Sequence, residues 1–403
     1  MFEIIIYILL ILSLIYGFYF LIMASGVFRK KKCEIDNNKK NHFAILIAAR
    51  NEETVIKNLI NSLKKQNYPS NKYDVYVIVN NCTDNTLEVA KNAGAKIIEC
   101  KQKVKSKGEV LKYTFNKLKS NDEIDVYVIF DADNVVHREF LNKMNDSINC
   151  GYEVVQGFRD TKNICDNWLS TSYAILYYLQ SLFINKSRFN FGMSSFLNGT
   201  GFMVKKETID RYGYDPKTIT EDIEYTAICA INGIKIAFNE NAITYDEQVT
   251  DFKSSLKQRK RWSFGAIQCL KNYTGSLIKE GIKNKRFECF DVIIFYFGII
   301  FHVLFTIVSL IGIFYNVFYL NNFNSMDVVI YFIMFLINYF IGVVFRMIVI
   351  KKCNKSIKEN IWGILLFDLF VLSWFPINFI CLFIKNCNWD HIKHDRNVDT
   401  LNI

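Results

Sequence analysis

Three short motifs in this 403-residue chain carry side chains that could take part in one reaction. The run Asp131–Asp133 places two carboxylates where both could face one divalent cation. Asp222 offers a carboxylate that could accept a proton. The segment Gln258–Trp262 adds three cations and an indole ring. A metal ion, a base and a cationic clamp are the parts that transfer of a sugar from a nucleotide diphosphate to a hydroxyl would need.

Both acidic motifs also have a purely structural interpretation. Asp131–Asp133 follows Val126–Phe130, an apolar run typical of a buried strand. Two acids there would repel each other unless Mg²⁺ or Mn²⁺, bound partly by substrate phosphates, lay between them, but solvated acids in a turn are the alternative. Glu221 and Asp222 follow Thr220 and would suit a helix N-terminus whatever their function. In the functional interpretation Asp222 takes the proton of an attacking sugar hydroxyl, and direct attack would invert the anomeric centre.

The third motif falls on a helix predicted over Asp251 to about Leu270. The spacing puts Gln258 and Arg261 on one face, with Trp262 four residues after Gln258. Arginine can pair with a diphosphate, and tryptophan can stack on a sugar ring. A basic amphipathic helix lying on a membrane surface is the alternative, and both interpretations can hold together.

Alternating strands and helices between His42 and about Tyr245 predict the scaffold that positions these residues. The pattern is typical of an α/β domain with a parallel sheet covered on both faces. The predicted strands are Phe43–Ala48, Asp74–Val79, Lys96–Glu99 and Asp125–Phe130. In such sheets ligands bind outside the carboxyl ends of the strands. The candidate segments at those ends are Ala49–Glu52, Asn80–Asp84 and Asp131–Asp133.

Lys107 opens a helix predicted over Gly108–Lys119, where a lysine beside helix N-terminal amides would favour phosphate. Neither a GxGxxG motif after the first strand nor a GxxxxGK[ST] motif occurs, so a dinucleotide or P-loop phosphate cradle is missing. The 11 cysteines form no CxxC pair, which argues against zinc and for reduced thiols in a cytosolic domain.

The composition separates into apolar ends and a charged middle. Hydrophobic residues make up 51% and charged residues 22% of the chain, and the formal net charge is +10. Four apolar runs are long enough to cross a bilayer. They are Ile4–Met23, Val292–Leu320, Val328–Ile350 and Ile361–Ile384. The basic clusters beside these runs indicate a membrane surface or an anionic substrate rather than nucleic acid.

The positions of the lysines and arginines predict which side of the membrane each segment occupies. Basic residues follow the first run and separate the third from the fourth, so the positive-inside rule places the middle of the chain in the cytoplasm. The last run contains Asp368 and Pro376 and precedes a basic tail, and both a full crossing and a re-entrant hairpin stay open. Asp368 could be a functional intramembrane acid or could face neighbouring helices.

Taken in order, the motifs resemble the membrane-integrated inverting glycosyltransferases of family 2, the group of bacterial poly-N-acetylglucosamine, hyaluronan and cellulose synthases. The segments that carry the resemblance are Ala49–Glu52, Asn81–Asp84, Lys107-Gly108, Asp131–Asp133, Gly199–Val204, Thr220–Asp222 and Gln258–Trp262. The resemblance implies a GT-A-type nucleotide-sugar-binding domain with a mostly parallel sheet, joined to transmembrane helices. It also implies a UDP-sugar donor and a Mg²⁺ or Mn²⁺ cofactor.

The same resemblance implies a role for each matching position. The donor-binding residues would be Glu52, Asn80, Asp84, Lys107 and Asp131. Asp131 and Asp133 would hold the metal, and Asp222 would be the base. The acceptor or diphosphate site would contain Glu221, Gln258, Arg261 and Trp262. Asn80 stands where family members often carry Asp, so UDP remains the expected nucleotide with less support for its base. Trp389 and His394 resemble the ending of some members.

The predicted domains follow from these observations. They are a transmembrane anchor over 1–28, a cytoplasmic glycosyltransferase domain over 42–250, an interfacial helix region over 251–285, a C-terminal transmembrane region over 286–385 and a basic tail over 386–403. The predicted function is polymerisation of a β-linked cell-surface polysaccharide at the cell membrane. The motif at Gln258–Trp262 is associated with polymer-forming members, and a membrane partner subunit could complete the channel. Single-sugar transfer to a lipid-linked acceptor is the alternative, and a non-enzymatic membrane scaffold is the third hypothesis.

Overall fold

The computed structural model of the protein describes residues 2–31, 39–318 and 325–387. Trp389, His394 and residues 388–403 of the predicted tail lie outside the described residues, as does Lys32 among the basic residues between the anchor and the first strand.

Eight strands form one mixed sheet. They are β1 (Phe43–Ala49), β2 (Tyr73–Val79), β3 (Lys96–Glu99), β4 (Val126–Asp131), β5 (Val135–Val136), β6 (Val154–Thr161), β7 (Phe202–Lys205) and β8 (Ile236–Asp246). Their order is β3-β2-β1-β4-β7-β6-β8-β5. The pairs β1–β2, β2–β3, β1–β4 and β6–β8 are parallel, whereas β7 is antiparallel to both neighbours and β5 to β8. The predicted α/β class with a mostly parallel sheet is confirmed.

Fourteen α-helices surround or extend this sheet in the described part of the chain. They are α1 (Phe2–Ala24), α2 (Ile56–Lys64), α3 (Thr86–Asn92), α4 (Lys107–Leu118), α5 (Phe140–Asn149), α6 (Trp168–Leu179), α7 (Ser187–Asn190), α8 (Lys206–Tyr212), α9 (Glu221–Asn232), α10 (Phe252–Lys283), α11 (Phe287–Phe318), α12 (Ser325–Lys352), α13 (Ile361–Leu372) and α14 (Trp374–Cys381). A π-helix, Gln180–Lys186, joins α6 to α7.

The central strand β1 shows why this sequence forms a buried parallel sheet. It is almost continuously apolar, as a strand covered on both faces must be. Phe43, Ile45 and Ile47 pack in one core with α2 and α5, and Ala44 and Leu46 pack in a second core with α4 and α9. The carboxyl ends of β1, β2 and β4 therefore emerge together at one edge of the sheet.

Within the described ranges, four helical segments are long and apolar enough to cross a membrane. They are Tyr7–Phe28, Phe287–Gly312, Val328–Lys352 and Ile361–Cys381. The last is divided at Ser373 into α13 and α14. Pro376 lies in the first turn of α14, where its missing N–H removes no helical hydrogen bond.

Asp368 on α13 faces a neighbouring helix. Its carboxylate accepts two hydrogen bonds from Arg346 on α12, at 2.8 and 2.9 Å. The structure therefore agrees with the expectation that this acid faces a helix neighbour, since its charge is matched by a cation.

Helix α10 is longer than predicted, and it begins where Asp251 accepts a hydrogen bond from Ser254 N at 2.7 Å. It packs against α9, α11 and α14, and so joins the sheet domain to the apolar helices.

The prediction that the cysteines are reduced thiols is wrong at one position, since Cys150 is disulfide-bonded. The other nine cysteines in the described ranges form no disulfide.

A buried ion pair anchors the sheet domain to the membrane helices. Arg188 on α7 donates to Asp291 on α11 from Nε at 2.8 Å and from Nη2 at 2.9 Å, and both side chains are almost fully buried. Tyr19 on α1 donates a third hydrogen bond to the same carboxylate. Three separate helices thus meet at Asp291.

We expect Asp291→Ala to lower the free energy of unfolding by about 3–5 kcal/mol, because it leaves a buried guanidinium without its carboxylate. Thermal unfolding in detergent would measure this loss. The matched control is the double variant Arg188→Met/Asp291→Leu, which removes both charges and should lose less. A single variant as stable as the wild type would contradict the prediction.

Candidate functional site

A cavity of about 740 Å³ lies at the edge where β1, β2 and β4 end. Ten of the eleven predicted site residues line it. They are Glu52, Asn80, Lys107, Asp131, Asp133, Glu221, Asp222, Gln258, Arg261 and Trp262. The parallel strands bring the first five together, and the N-terminus of α9 and one face of α10 supply the others.

Lys107 is the central cation of the cavity. It is the first residue of α4, which Ser106 caps by accepting a hydrogen bond from Glu109 N at 3.3 Å. Its ammonium group donates to Asp131 and to the carbonyl of Gly199, the latter at 2.7 Å. It also lies 3.8 Å from a carboxylate oxygen of Glu221. Lys107 therefore joins three parts of the fold that are far apart in sequence.

The charged side chains around Lys107 and Asp131 shift the pKa values of both residues. Burial alone would lower the pKa of Lys107, but the carboxylates of Asp131 and Glu221 outweigh burial and raise it above its ordinary value. Burial likewise opposes ionisation of Asp131, yet Lys107, Arg159 and Arg261 lower the pKa of that carboxyl. Lys107 and Asp131 are therefore both charged at neutral pH.

Asp131 and Asp133 are held by the loops around them. The backbone N–H of Asp131 donates to Thr200 Oγ1 at 3.0 Å, and Asp133 Oδ2 accepts from Glu247 N at 3.1 Å. No cluster of three or more His, Cys, Asp or Glu side chains suited to a metal occurs in the described ranges. Two carboxylates in a cavity that also contains the Lys107 ammonium nevertheless fit Mg²⁺ or Mn²⁺, because such ions are commonly held by one or two carboxylates together with substrate phosphates.

Glu221 and Asp222, at the start of α9, also line the cavity, and we call these two residues the acidic wall. Thr220 occupies the N-cap position of α9, but its side chain makes no capping hydrogen bond. Burial is the main cause that raises the pKa of both acids, and for Glu221 it reaches about 7. Gly199 has φ of +89°, a conformation that favours glycine, and its loop lies beside Asp222, since an added Cβ would be in van der Waals contact with Asp222 Oδ2 at 3.4 Å.

One face of α10 closes the cavity. The Trp262 ring stands edge-on to the rings of Tyr173 and Tyr177, with centroids 6.0 and 6.3 Å away. The side-chain amide oxygen of Gln258, Oε1, is buried and has no hydrogen-bond partner among the described residues. Arg259, between them in sequence, points elsewhere and donates to the Phe370 carbonyl at 3.0 Å.

The residues predicted beside the nucleoside have mixed placements. Asn80 is buried and its amide donates to the carbonyls of Cys100 and Gln102, at 2.9 and 3.3 Å. Asp84 is absent from the described lining, and its carboxylate accepts from Thr86 and from Glu53 N instead. Burial would raise the pKa of Asp84, but these hydrogen bonds lower it. Asp84 therefore joins the segment after β2 to the segment after β1 by hydrogen bonds, and it does not line the described cavity.

Arg159 also lines the cavity, although it was not among the site residues predicted from the sequence. It lies on β6, donates to Asp246 on β8 and to the Asn198 carbonyl, and has its guanidinium 3.8 Å from the Tyr177 ring centroid. Burial raises the pKa of Asp246 to about 6 against the opposing charge of Arg159. Strand β6 contains Gln156, Asp160 and Thr161 beside Arg159, so no apolar background or motif singled this arginine out in the sequence.

The cavity continues from the sheet edge to the apolar helices. Its lining includes Tyr16 on α1, Phe295 and Ile299 on α11, and Val371 on α13. Polar, charged groups therefore lie at one end, and side chains from the candidate membrane spans lie at the other.

Comparison with known proteins identifies related chains. Residues 40–265 match the family described as "Glycosyltransferase like family 2". "Probable glycosyltransferase YdaM" of Bacillus subtilis is 24% identical over 283 residues, which cover 64% of this chain and 64% of that protein. "Beta-monoglucosyldiacylglycerol synthase" of Synechocystis is 24% identical over 233 residues, which cover 57% of this chain and 48% of that protein. The chain thus spans less than two thirds of the length of these relatives.

A solved structure shares the fold over nearly the whole chain. It is the mannosyltransferase PcManGT from Pyrobaculum calidifontis, in complex with GDP-Man and Mn²⁺, with a TM-score of 0.63 and 12% sequence identity. The similarity covers 95% of this chain and 99% of that one. The helices that form the candidate membrane spans therefore lie within the shared fold.

Proposed function

We propose a specific reaction for this chain. It belongs to family 2 of the glycosyltransferases and is itself a glycosyltransferase. The proposed reaction is transfer of one sugar from a UDP-sugar to a hydroxyl of a membrane lipid. The observation that carries it is the single cavity that joins the charged sheet edge to the apolar membrane helices. A lipid acceptor could enter that cavity from the membrane while its hydroxyl reaches the acidic wall.

The residues of the cavity support a direct displacement. The Asp222 carboxylate takes the proton of the acceptor hydroxyl, whose oxygen then bonds to the anomeric carbon. The bond from that carbon to the diphosphate breaks, and the leaving group keeps the electron pair. Lys107 and Arg261 balance its charge. Attack from the opposite face inverts the anomeric centre, so an α-linked donor gives a β-linked product.

A divalent cation fits this scheme. Asp131 and Asp133 would hold Mg²⁺ or Mn²⁺, which when bound neutralises charge on the departing diphosphate. Asn80 and Glu52 would lie on the nucleoside side of the donor, and Gln258 and Trp262 on the acceptor side.

Polysaccharide synthesis is the second candidate. The motif at Gln258–Trp262 favours it through the resemblance to polymer-forming enzymes. A lipid acceptor is favoured by the apolar end of the cavity and by relatives named for synthesis of a monoglucosylated diacylglycerol. The two candidates differ in the number of sugars that each acceptor receives.

The test is a panel of UDP- and GDP-sugars with Mg²⁺ or Mn²⁺, offered to the purified protein with lipid and saccharide acceptors. Released nucleotide and product size would be measured together. One sugar on each lipid supports the proposal, whereas extended chains support polymerisation. Turnover of GDP-sugars alone would overturn the UDP assignment.

The raised pKa values of the acidic wall predict that activity falls in acid. A base must be ionised, and each pH unit below its pKa leaves about a tenth of the previous carboxylate. Burial raises the pKa of Asp222 and brings the pKa of Glu221 to about 7, so kcat/KM should be lower at pH 6 than at pH 8. Removing one charge, Glu221→Gln should move this fall to lower pH. A profile that stays flat, or does not move in the variant, would contradict the assignment.

We also propose the arrangement in the membrane. Residues 42–250 would form the cytoplasmic catalytic domain, between an anchor over 1–28 and a membrane region over 286–385. The region 251–285 would lie at the interface, which the contacts of α10 with both parts support. The positions of the basic residues support the cytoplasmic side.

A further inference from the structure

A chain of hydrogen bonds lies at the membrane end of the cavity. It links Trp374 and Asn378 on α14, Ser263 on α10 and His302 on α11, all of which line the cavity. Trp374 Nε1 donates to Ser263 Oγ at 3.0 Å, and Ser263 Oγ donates to Asn378 Oδ1 at 2.6 Å. Asn378 Nδ2 lies 3.1 Å from His302 Nδ1. We call these four residues the polar chain.

The chemistry of its first member sets the direction of the polar chain. The Trp374 indole N–H can only donate and Asn378 Oδ1 can only accept, so Ser263 Oγ accepts from Trp374 and donates to Asn378. Asn378 then has only its NH₂ group to offer His302, whose Nδ1 must accept. The His302 ring is therefore neutral and carries its proton on Nε2. No hydrogen bond to His302 Nε2 occurs within the described residues.

The surroundings of this donor select a neutral oxygen. Helices α11, α13 and α14 contain no lysine or arginine. Arg259 on α10 lies 5.5 Å from the Trp374 ring centroid, but its guanidinium donates to the Phe370 carbonyl and to Ser373 Oγ. The cationic residues that line the cavity are Arg50, Lys107, Arg159 and Arg261, and none of them lies on a candidate membrane span. A neutral N–H group among apolar side chains suits a carbonyl oxygen better than a phosphate.

The polar chain lies where the rest of an acceptor would extend once its hydroxyl reaches the acidic wall. Tyr296 on α11 donates to the carbonyl of Ile223, the residue after Asp222. His302 lies six residues further along the helix, about 9 Å toward its apolar end. An acceptor whose hydroxyl reaches Asp222 would therefore place the atoms that follow that hydroxyl near His302.

We propose that the polar chain is an acceptor subsite in which His302 Nε2–H binds an ester carbonyl of a glycerolipid. This inference rests on the proposed transfer to a membrane lipid and names the lipid class. It predicts that an acylated glycerol with a free hydroxyl is preferred to its ether analogue, which has no carbonyl.

The test compares 1,2-diacylglycerol with 1,2-dialkylglycerol in nanodiscs, with the sugar nucleotide that the donor panel selects. The wild type should use the diacyl lipid about tenfold better in kcat/KM, which corresponds to about 1.4 kcal/mol. His302→Phe removes the donor and should bring this ratio to about one. His302→Gln supplies an N–H at a similar position and should restore part of the preference. Phe305→Leu, an exposed position on the same helix, is the matched control and should keep the ratio.

Each other outcome contradicts a defined part of the inference. Equal use of the two lipids by the wild type, or an equal loss on both in His302→Phe, would show that His302 recognises no carbonyl. Turnover of a polyprenyl phosphate in place of either glycerolipid would overturn the inference and leave the lipid acceptor standing. If no lipid reacts while a saccharide is extended, the proposed function itself fails.

Discussion

The Asp222→Asn variant is expected to lose about 10²–10⁴-fold in kcat, because an amide cannot take the proton of the acceptor hydroxyl. Asparagine keeps the size of the side chain beside Gly199, so the loop contact and the fold should survive. Nucleotide release from the sugar donor in the presence of the accepted lipid measures the effect. The KM for the donor should change little, since the carboxylate acts on the acceptor.

A matched control keeps this result interpretable. Asp215 is an exposed acid that pairs with Lys112 and does not line the described cavity, so Asp215→Asn should retain activity. Asp222→Asn with near-normal kcat would exclude Asp222 as the base. If Glu221→Gln then showed the large loss, the base would be the neighbouring acid.

Asp131→Asn is expected to lower kcat/KM by roughly 10³-fold, since a cation at the diphosphate contributes several kcal/mol to the transition state. The change removes one of two carboxylates offered to the metal and also the carboxylate that Lys107 contacts. Both losses should weaken binding of the donor diphosphate. Calorimetric titration of UDP with and without Mn²⁺ would measure this directly, beside the kinetics.

The comparison with Asp133→Asn separates the two causes. Asp133 accepts from Glu247 N, so its variant tests the metal while the contact between Lys107 and Asp131 stays in place. Asp146→Asn on α5, away from the cavity, serves as the control for a lost surface acid. Activity of Asp131→Asn that is unchanged and still dependent on Mn²⁺ would remove this residue from the metal site.

Much of the site could be predicted because it follows from strand direction. Parallel strands end at one edge, so Glu52, Asn80 and Asp131 had to be neighbours once β1, β2 and β4 were recognised. Asp84 shows where this reasoning stops. It follows the same strand as Asn80, yet the turn after it directs its carboxylate to Thr86, and local hydrogen bonds of this kind are not visible in a strand pattern.

Residues on later elements could not be placed in the same way. Arg159 and Asp246 meet because β6 and β8 pair in parallel after a long excursion of the chain, and no short motif marks that pairing. His302 lies in an apolar run that reads as a membrane helix and nothing more. Its contact with Asn378 depends on how α11 and α14 pack, which the sequence of neither helix specifies.

The chain's own pattern was sufficient for the α/β class, the four parallel strands β1–β4, the four apolar runs and the order of the acidic and basic motifs, because these depend on local periodicity and on the direction of neighbouring strands. It did not indicate strands β5–β8. Packing alone decided that Lys107 contacts both Asp131 and Glu221, that Arg159 joins them in the cavity, and that the cavity extends to His302. Contacts between distant segments depend on how whole helices and sheets bury their apolar faces against one another, and that arrangement belongs to the folded chain rather than to any short stretch of it.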